Sequence, residues 1–492
     1  MAAKPRIVLF RHAPIDYDSR IKRIATTLQR GGFEPIVIST EPIGGDSGEY
    51  LLGGNIRVIR VPLTVWPAES RMAAKPSPNA GRAARLKRQR AVHASRVKGA
   101  DKASAKSAAK WAITNGKLVA VGAISLKDRL MTVGKALRAR LQGSDDPFAA
   151  LDLPTNLPVA HNLIHTLRDL LVGLRPDVLH AHNPLVLPVA WEAAKALREQ
   201  GVDVKLSYDV REDFAGLPKK EIGNPAGHEA LLGTERAFMK KVDYVMTVTE
   251  SHAHLLKDKY KLDELPDTFV NMSVFQPMVG DVTVREAAGV DDATPLIVYA
   301  GIMSWARGIE TLIESMAHID ESVHLAIVTM PLPHPMQTKL DPLAEELGVR
   351  DRIHYVDPVN QANLSYYLHG ADLAVHPLPG GSPNHDRTLP NKLFEYLHAE
   401  LPMVSSDAKT MAEFVRFNGM GEVFRTDDAR DLAEKVTKAL ANPVPQEHLH
   451  ELAQKYSWQS NEPGLLAAFG RLTNFVPAKP EGPFGATEVT PA

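Results

Sequence analysis

The residues whose types and spacing most suggest chemistry are Lys392 and Glu395, in the stretch "TLPNKLFEYLHAELPMVSSD" (388–407). Pro390 and Asn391 open what reads as a helix, Pro402 closes it off, and a short apolar run follows. A helix N-terminus presents free backbone N–H groups and a partial positive charge, which suits a phosphate. Lys392 adds a full charge there, and Pro390 is tolerated because its missing N–H would be an orphan in any case. Glu395, one turn in, is an acceptor pair placed to take hydrogen bonds from vicinal hydroxyls such as those of a ribose. Arg307, after an earlier strand of the same region, offers a second cation. Phosphate plus diol describes a nucleotide. The alternative is a surface helix on which Glu395 only complements the dipole.

Other constellations carry weaker signals. "DYD" (16–18) has the Asp-x-Asp spacing of a divalent-metal site, but it sits at the start of a helix, where Asp caps backbone N–H groups. "HAH" (180–182) places two imidazoles on one side of a strand end with no carboxylate nearby in sequence, which reads as structural or cleft-lining histidine. There is no cysteine, so disulfides, thiolate metal sites and cysteine nucleophiles are excluded.

The elements that must position these groups alternate between strand and helix. "RIVLF" (6–10) is a continuous apolar run of the kind found in strands buried on both faces. A helix with Ile21, Ile24 and Leu28 on one face follows, starting at Asp18 or Ser19 and stopping at Gly31-Gly32; then "EPIVIST" (34–40) reads as strand. This is a βαβ unit and implies a parallel sheet. Further strands are expected at 55–63, 203–210, 243–249 and 267–274, with αβ alternation resuming from 162. A second alternating run begins at "TPLIVYAG" (294–301) and continues through strands at 323–330, 352–359 and 372–378 and the stretch around Lys392. The reading is α/β: two doubly wound, Rossmann-like domains facing a cleft, over 1–275 and 276–475, followed by a disordered Pro/Gly/Ala-rich tail over 476–492. In such sheets ligands bind beyond the carboxyl ends of the strands. That directs attention to 300–308, 357–361 and 377–392.

Residues 64–155 interrupt the first domain. The chain of 492 residues carries a net charge of −1, yet 71–142 holds 18 Lys/Arg and 2 Asp/Glu, leaving −17 for the rest. Such a split implies an anionic partner for the segment. The readings are a solvated loop, or docking on an anionic membrane surface through the amphipathic helix expected at 125–142. Nucleic acid is disfavoured, because Trp111 is the segment's one aromatic. No apolar run is long enough for a membrane span. The N-terminal apolar run is too short for a signal-peptide core, so the chain is expected in the cytoplasm, or peripheral on the inner face of the plasma membrane.

Taken in order, several stretches resemble the GT-B glycosyltransferases, and within them family 4. "PDVLHAHNPLVLP" is similar to a segment that often reads D-x-x-H-x-H, and "VDYVMTVTESHAHLL" to A-D-x-V-x-x-V-S. "VYAGIMSWARGIETLIES" is similar to the first strand and phosphate loop of the donor domain. "LPNKLFEYLHAELPMVSSD" is similar to P-x-K-L-F-E-Y-x-A-x-G-x-P-V-V. The resemblance covers most of the chain apart from 64–155 and the tail. It implies a retaining, metal-independent, hexosyltransferase-like enzyme that moves a sugar from a nucleotide diphosphate sugar, with no further cofactor, to a sugar, lipid-linked or small-molecule acceptor. Cell-surface polysaccharide, glycolipid or glycoside synthesis would be the setting. Arg307 and Lys392 would neutralise the diphosphate, with Arg211 and Glu212 also at the reacting centre. Gly301, Arg307, Tyr355, Asn391, Lys392, Leu393 and Glu395 would hold the nucleotide sugar, the base lying against the backbone of 355–358. Asp18, Arg20 and His182 would flank the cleft.

Three departures stand out. Where the family has the first glutamate of its Glu-x7-Glu motif, this chain has Arg387; the strand-end histidine that contacts the donor sugar is replaced by Arg211; and one cation of the G-R-x-x-x-x-K-G loop is absent. These departures leave room for a non-catalytic nucleotide-sugar-binding scaffold; a nucleotide-sugar epimerase on the same fold is the other alternative, and the loss of Glu at 387 and His at 211 does not favour it.

Overall fold

The computed structural model describes residues 4–63, 146–218, 222, 224–304, 306–482 and 484. Most of the basic insertion, including the helix expected at 125–142, lies outside the described residues.

The first sheet contains β1 (Arg6–Phe10), β2 (Glu34–Glu41), β3 (Gly48–Leu52), β4 (Ile56–Pro62), β5 (Val178–Ala181), β6 (Lys205–Val210), β7 (Tyr244–Thr247) and β8 (Asp267–Thr268), in the spatial order β3-β4-β2-β1-β5-β6-β7-β8. All pairings are parallel except β3–β4. The second sheet is wholly parallel, in the order β11-β10-β9-β12-β13-β14: β9 (Leu296–Ala300), β10 (His324–Val328), β11 (Ile353–Val356), β12 (Leu373–His376), β13 (Met403–Ser406) and β14 (Gly421–Phe424). In both sheets the chain starts in the middle, winds one way and then the other. The order reverses between β1 and β5, and again between β9 and β12. A crevice at the carboxyl ends of the strands is the expected ligand position at such a reversal.

Each sheet is covered on both faces, which is why its strands read as unbroken apolar runs. Val8 and Phe10 face a layer containing Leu163, Leu167 and Leu171, while Ile7 and Leu9 face Ile21, Ile24 and Leu28. The helix Ser19–Arg30 begins where expected, with Asp18 Oδ1 accepting from Ile21 N at 3.0 Å.

Three features differ from the sequence reading. The antiparallel edge strand β3 was not anticipated, because only Leu52 of its five residues is buried and no apolar run marks it. β8 has two residues rather than eight: Phe269 N still donates to Thr247 O, but beyond it the backbone bonds elsewhere, with Val270 O accepting from Asn461 and Ser273 O from Trp458 N. The third concerns the C-terminal part. Trp458 and the helix Glu462–Thr473 return to the first domain, where Leu465, Leu466 and Phe469 pack in the layer with Ile7, Leu9 and Ile24. Their spacing gives an apolar stripe, and this face of the sheet needs cover. Trp458 Nε1 donates to Thr27 Oγ1 at 2.9 Å, and Arg30 pairs with Glu462 at 3.1 Å. The described part of the tail does not float free either: Ala478 N donates to Gly31 O at 3.0 Å, and Phe484 is buried under Arg30.

The chain therefore passes between the domains twice. The two passages bond to each other: Phe275 N donates to Gln459 Oε1 at 3.1 Å, and Gln459 Nε2 to Phe275 O at 2.7 Å.

Candidate functional site

In the second domain, the loop after β9 and the helix Asn391–His398 meet at the strand-order reversal. Gly301 has φ +155°, and a Cβ there would lie 3.1 Å from the Tyr299 hydroxyl and 3.6 Å from Lys392 Cε. Further along the loop, Gly308 has φ +70°, and a Cβ there would lie 2.2 Å from Pro377 O. Glycine at 308 thus lets the turn carrying Arg307 dock directly on the backbone that follows β12. Lys392 Nζ donates to Glu395 Oε2 at 2.6 Å, and the Glu395 side chain is largely buried while that of Lys392 is partly exposed. The structure thus brings together Gly301, Lys392 and Glu395, and seats the Arg307 turn on Pro377 at the end of the neighbouring strand β12.

The remaining residues expected to contact nucleotide are spread around this nucleus. Asn391 Oδ1 accepts from Asn271 Nδ2 of the first domain at 2.5 Å, and Asn271 Oδ1 accepts from Arg23 at 2.6 Å. Leu393 points into the core, and its N–H bonds back to Pro390 O. Tyr355 packs away from the crevice, against the layer containing Leu340, with Arg350 over its ring.

The first domain contributes a buried charge cluster at the ends of β5 and β6. Arg20 grips Asp209 with two bonds, at 2.7 and 2.9 Å, and donates to Phe269 O at 2.7 Å. Arg211 donates to Asp18 Oδ2 at 2.7 Å and to Asp209 Oδ2 at 3.2 Å. Arg11 also pairs with Asp18. Burial alone would raise both carboxyls. Arg211 and Arg11 overcome this at Asp18 and hold it well below the usual carboxylate range, and Arg20 does the same at Asp209. His182 Nδ1 lies 2.7 Å from Arg211 and 3.0 Å from Asp209 Oδ2. Burial, then the Arg211 charge, lowers it to about 4, so the ring is neutral near pH 7. With one ring proton, Nδ1 accepts from Arg211 or donates to Asp209, not both.

These residues sit beneath the crevice surface. Asp18, Arg20 and His182 are 3%, 1% and 3% exposed, so the charges of Asp18 and Arg20 act on their protein partners rather than on solvent. Glu212 is exposed and apart from the cluster. His180, His182 and Asp209 have potential metal-ligand atoms within 4.8 Å of one another. However, the one anionic member is already bound by two guanidiniums, so the set is charge-matched as it stands.

Sequence reasoning missed how the domains meet. The loop 377–392 contains a short helix, Pro383–Arg387, capped by Ser382. This helix docks on the first domain: Asp213 N donates to Asn384 Oδ1 at 3.0 Å, Thr249 Oγ1 to Arg387 O at 2.8 Å, and Arg387 pairs with Asp213 at 3.3 Å. Arg387 therefore has a partner across the crevice. Asp213 and Arg387 are 174 residues apart, and nothing local in either segment announces the pair. The unanticipated His376, at the end of β12, is taken up below.

Two facing Rossmann-like sheets, with a glycine-turned loop and a helix start carrying Lys392 at the reversal of the second, define the GT-B architecture. Residues 283–456 match the family described as glycosyl transferases group 1, and residues 120–264 match the glycosyl transferase 4-like domain. The chain belongs among these glycosyltransferases. It is 23% identical over 321 residues to a D-inositol 3-phosphate glycosyltransferase from Xylanimonas cellulosilytica, covering 62% of this chain and 74% of that protein. It is 24% identical over 176 residues to the lipopolysaccharide glucosyltransferase WaaG of Escherichia coli, covering 36% and 41%. In fold it resembles sucrose-phosphate synthase from Thermosynechococcus elongatus (TM-score 0.62, 14% identity, 96% of this chain and 98% of that one). It also resembles Anabaena HepE, solved with UDP and glucose (TM-score 0.58, 12% identity, 95% and 100%). Among the described residues no helix is long and apolar enough to cross a membrane.

Proposed function

We propose that the protein transfers a sugar from a nucleotide diphosphate sugar to an acceptor with retention of configuration. The observation that carries this reading is the meeting of Gly301, Lys392 and Glu395, with the Arg307 turn seated on Pro377, where the second sheet reverses its order. A diphosphate seated there draws Lys392 away from Glu395 and frees that carboxylate to accept from the ribose hydroxyls. The bond from the anomeric carbon to the phosphate oxygen breaks as the acceptor oxygen attacks from the same face. The acceptor proton passes to the departing diphosphate, and Arg307 and Lys392 stabilise the charge that develops. The carboxylates of Asp18 and Asp209 are enclosed by guanidiniums, so neither is offered as a covalent nucleophile. The two cations supply locally what a divalent ion would supply elsewhere.

Arg211 and Arg387, two of the three departures from the family pattern, are both engaged in ion pairs within the protein. That favours a second reading, a nucleotide-sugar-binding scaffold without turnover. A thermal-shift and calorimetric screen across UDP, GDP and ADP and their sugars tests the first step, since bound ligand raises apparent stability. UDP and UDP-sugars come first, following the HepE complex. Glu395→Ala should weaken nucleotide binding, and Lys392→Ala should lower turnover more than binding. Unaltered kinetics in both variants would remove the site. Binding without hydrolysis or transfer would leave the scaffold. For the acceptor side we propose a membrane-borne substrate reached through 71–142. Deleting that segment should release the protein from anionic vesicles while sparing nucleotide binding, and unchanged vesicle association would refute the idea.

A further inference from the structure

His376 ends β12 at the strand-order reversal, and its side chain is 3% exposed. Among the described residues neither of its ring nitrogens has a hydrogen-bond partner. Burying such a group without a partner is costly, so a position that keeps one calls for a reason.

Its surroundings restrict what that reason can be. The imidazole lies parallel to the Tyr299 ring at 6.5 Å and edge-on to Tyr396 at 6.4 Å. Both tyrosine hydroxyls are already used by the loop after β9: Tyr299 donates to Ile302 O at 3.0 Å, and Tyr396 accepts from Ala300 N at 2.8 Å. The next residue, Pro377, is the one on which Gly308 and hence the Arg307 turn is seated. The charges that act on the ring come from Arg307, Lys392 and His385, with no carboxylate among them. Burial, followed by the two cations, lowers its pKa to about 3, so near pH 7 the ring is an uncharged donor among positive groups. A ligand that satisfies a buried N–H and is attracted by Arg307 and Lys392 must be an anion rich in acceptor oxygens.

We propose that His376 is a third ligand of the donor diphosphate, giving one ring N–H to a phosphoryl oxygen held between Arg307 and Lys392. The assignment rests on the reading of those two residues as the diphosphate site. It adds a neutral, directional donor to two point charges, fixing the orientation of the phosphoryl group rather than only attracting it.

Two substitutions test it, His376→Leu and His376→Gln, with UDP, GDP, ADP and the corresponding nucleosides titrated calorimetrically into the full-length protein. The leucine side chain has no unpartnered polar atoms, so this variant should melt at the same temperature as wild type or higher. Its affinity for whichever nucleoside diphosphate the wild type binds should nevertheless fall about tenfold, the worth of one hydrogen bond to a charged group. The nucleoside, which lacks phosphates, should bind both proteins alike. The glutamine variant, which keeps an N–H donor, should recover part of the loss. In wild type, the ring N–H resonance of His376 should move when the diphosphate is added and stay put with the nucleoside. Undiminished diphosphate affinity in the leucine variant overturns the inference and leaves the site itself standing. So does an equal loss for diphosphate and nucleoside, or a lower melting temperature with no change in affinity, or a ring resonance that exchanges only with water. If the wild type binds no nucleoside diphosphate at all, the underlying site fails first.

Discussion

Mild acid should destabilise the first domain, and the share of two of its histidines can be worked out; His180, which burial also holds well below its ordinary value, adds to it. His182 and His252 are both buried and both lowered to about 4, by burial first and then, at His182, by the charge of Arg211. In the unfolded chain each titrates at its ordinary value of 6.5. The folded state thus binds fewer protons, so the stability each neutral ring contributes is complete above about pH 6.5 and is lost as pH falls toward 4. At about pH 5 the unfolded chain has taken up nearly one proton at each position, while the folded chain has taken up about a tenth. The integrated loss is about 2 kcal/mol per residue, or about 4 kcal/mol for the two. Asp18 and Asp209 add little in this window: the fold holds both ionised, and in the unfolded chain they take up protons only as the pH falls toward their ordinary value of 3.8. Set against the 5–15 kcal/mol of a typical domain, the loss is large. Urea unfolding followed by circular dichroism at steps from about pH 7.5 to about pH 5 measures it. His252→Gln should remove that residue's own share of the loss, about 2 kcal/mol between about pH 7.5 and about pH 5. A first-domain stability that stays constant within about 1 kcal/mol over that range, or a His182 ring that titrates near 6.5 by NMR, would refute the reasoning.

Three further outcomes are expected. Arg387→Glu places like charge opposite Asp213 at the docked helix and should open the crevice, read as a larger radius of gyration by solution scattering; the partly exposed native pair itself is worth no more than about 1 kcal/mol. Truncation after Tyr456 removes Trp458, Leu465, Leu466 and Phe469, each of which stabilises by about 1.5–3 kcal/mol when buried, so the first domain should lose its cooperative unfolding transition while the second retains its own. Gly308→Ala forces a side chain against Pro377 O at positive φ; it should cost about 2 kcal/mol or more and weaken nucleoside diphosphate binding by displacing the Arg307 turn, whereas unchanged stability would contradict the close approach.

Much of the fold was legible because buried parallel strands leave a simple signal. β1, β9 and the helix after β1 follow directly from apolar runs, the spacing of Ile21, Ile24 and Leu28, and the capping position of Asp18. Lys392, Glu395 and Gly301 could be singled out because turns after strands and helix starts are local features with fixed chemistry. What stayed hidden was pairwise and distant. Arg20 read as a cleft cation and Arg211 as part of the reacting centre, yet each is matched to a carboxylate on another element, 189 and 193 residues away. The return of Glu462–Thr473 to the first sheet was not legible for the same reason. An apolar helical stripe states that it needs cover, not which of two sheets provides it. His376 lay in view as the polar end of an apolar strand, and only the absence of a partner among the described residues marks it.

The paired passages between the lobes also bear on how the molecule is made. Residues 458–473 are needed to finish the layer that begins at Ile7, so the lobe whose synthesis starts first is the last to be complete. On the ribosome the second lobe can close as soon as its strands emerge, while the first waits, one face uncovered, for nearly the whole chain. A chaperone meeting the nascent protein would find its apolar target on that waiting face.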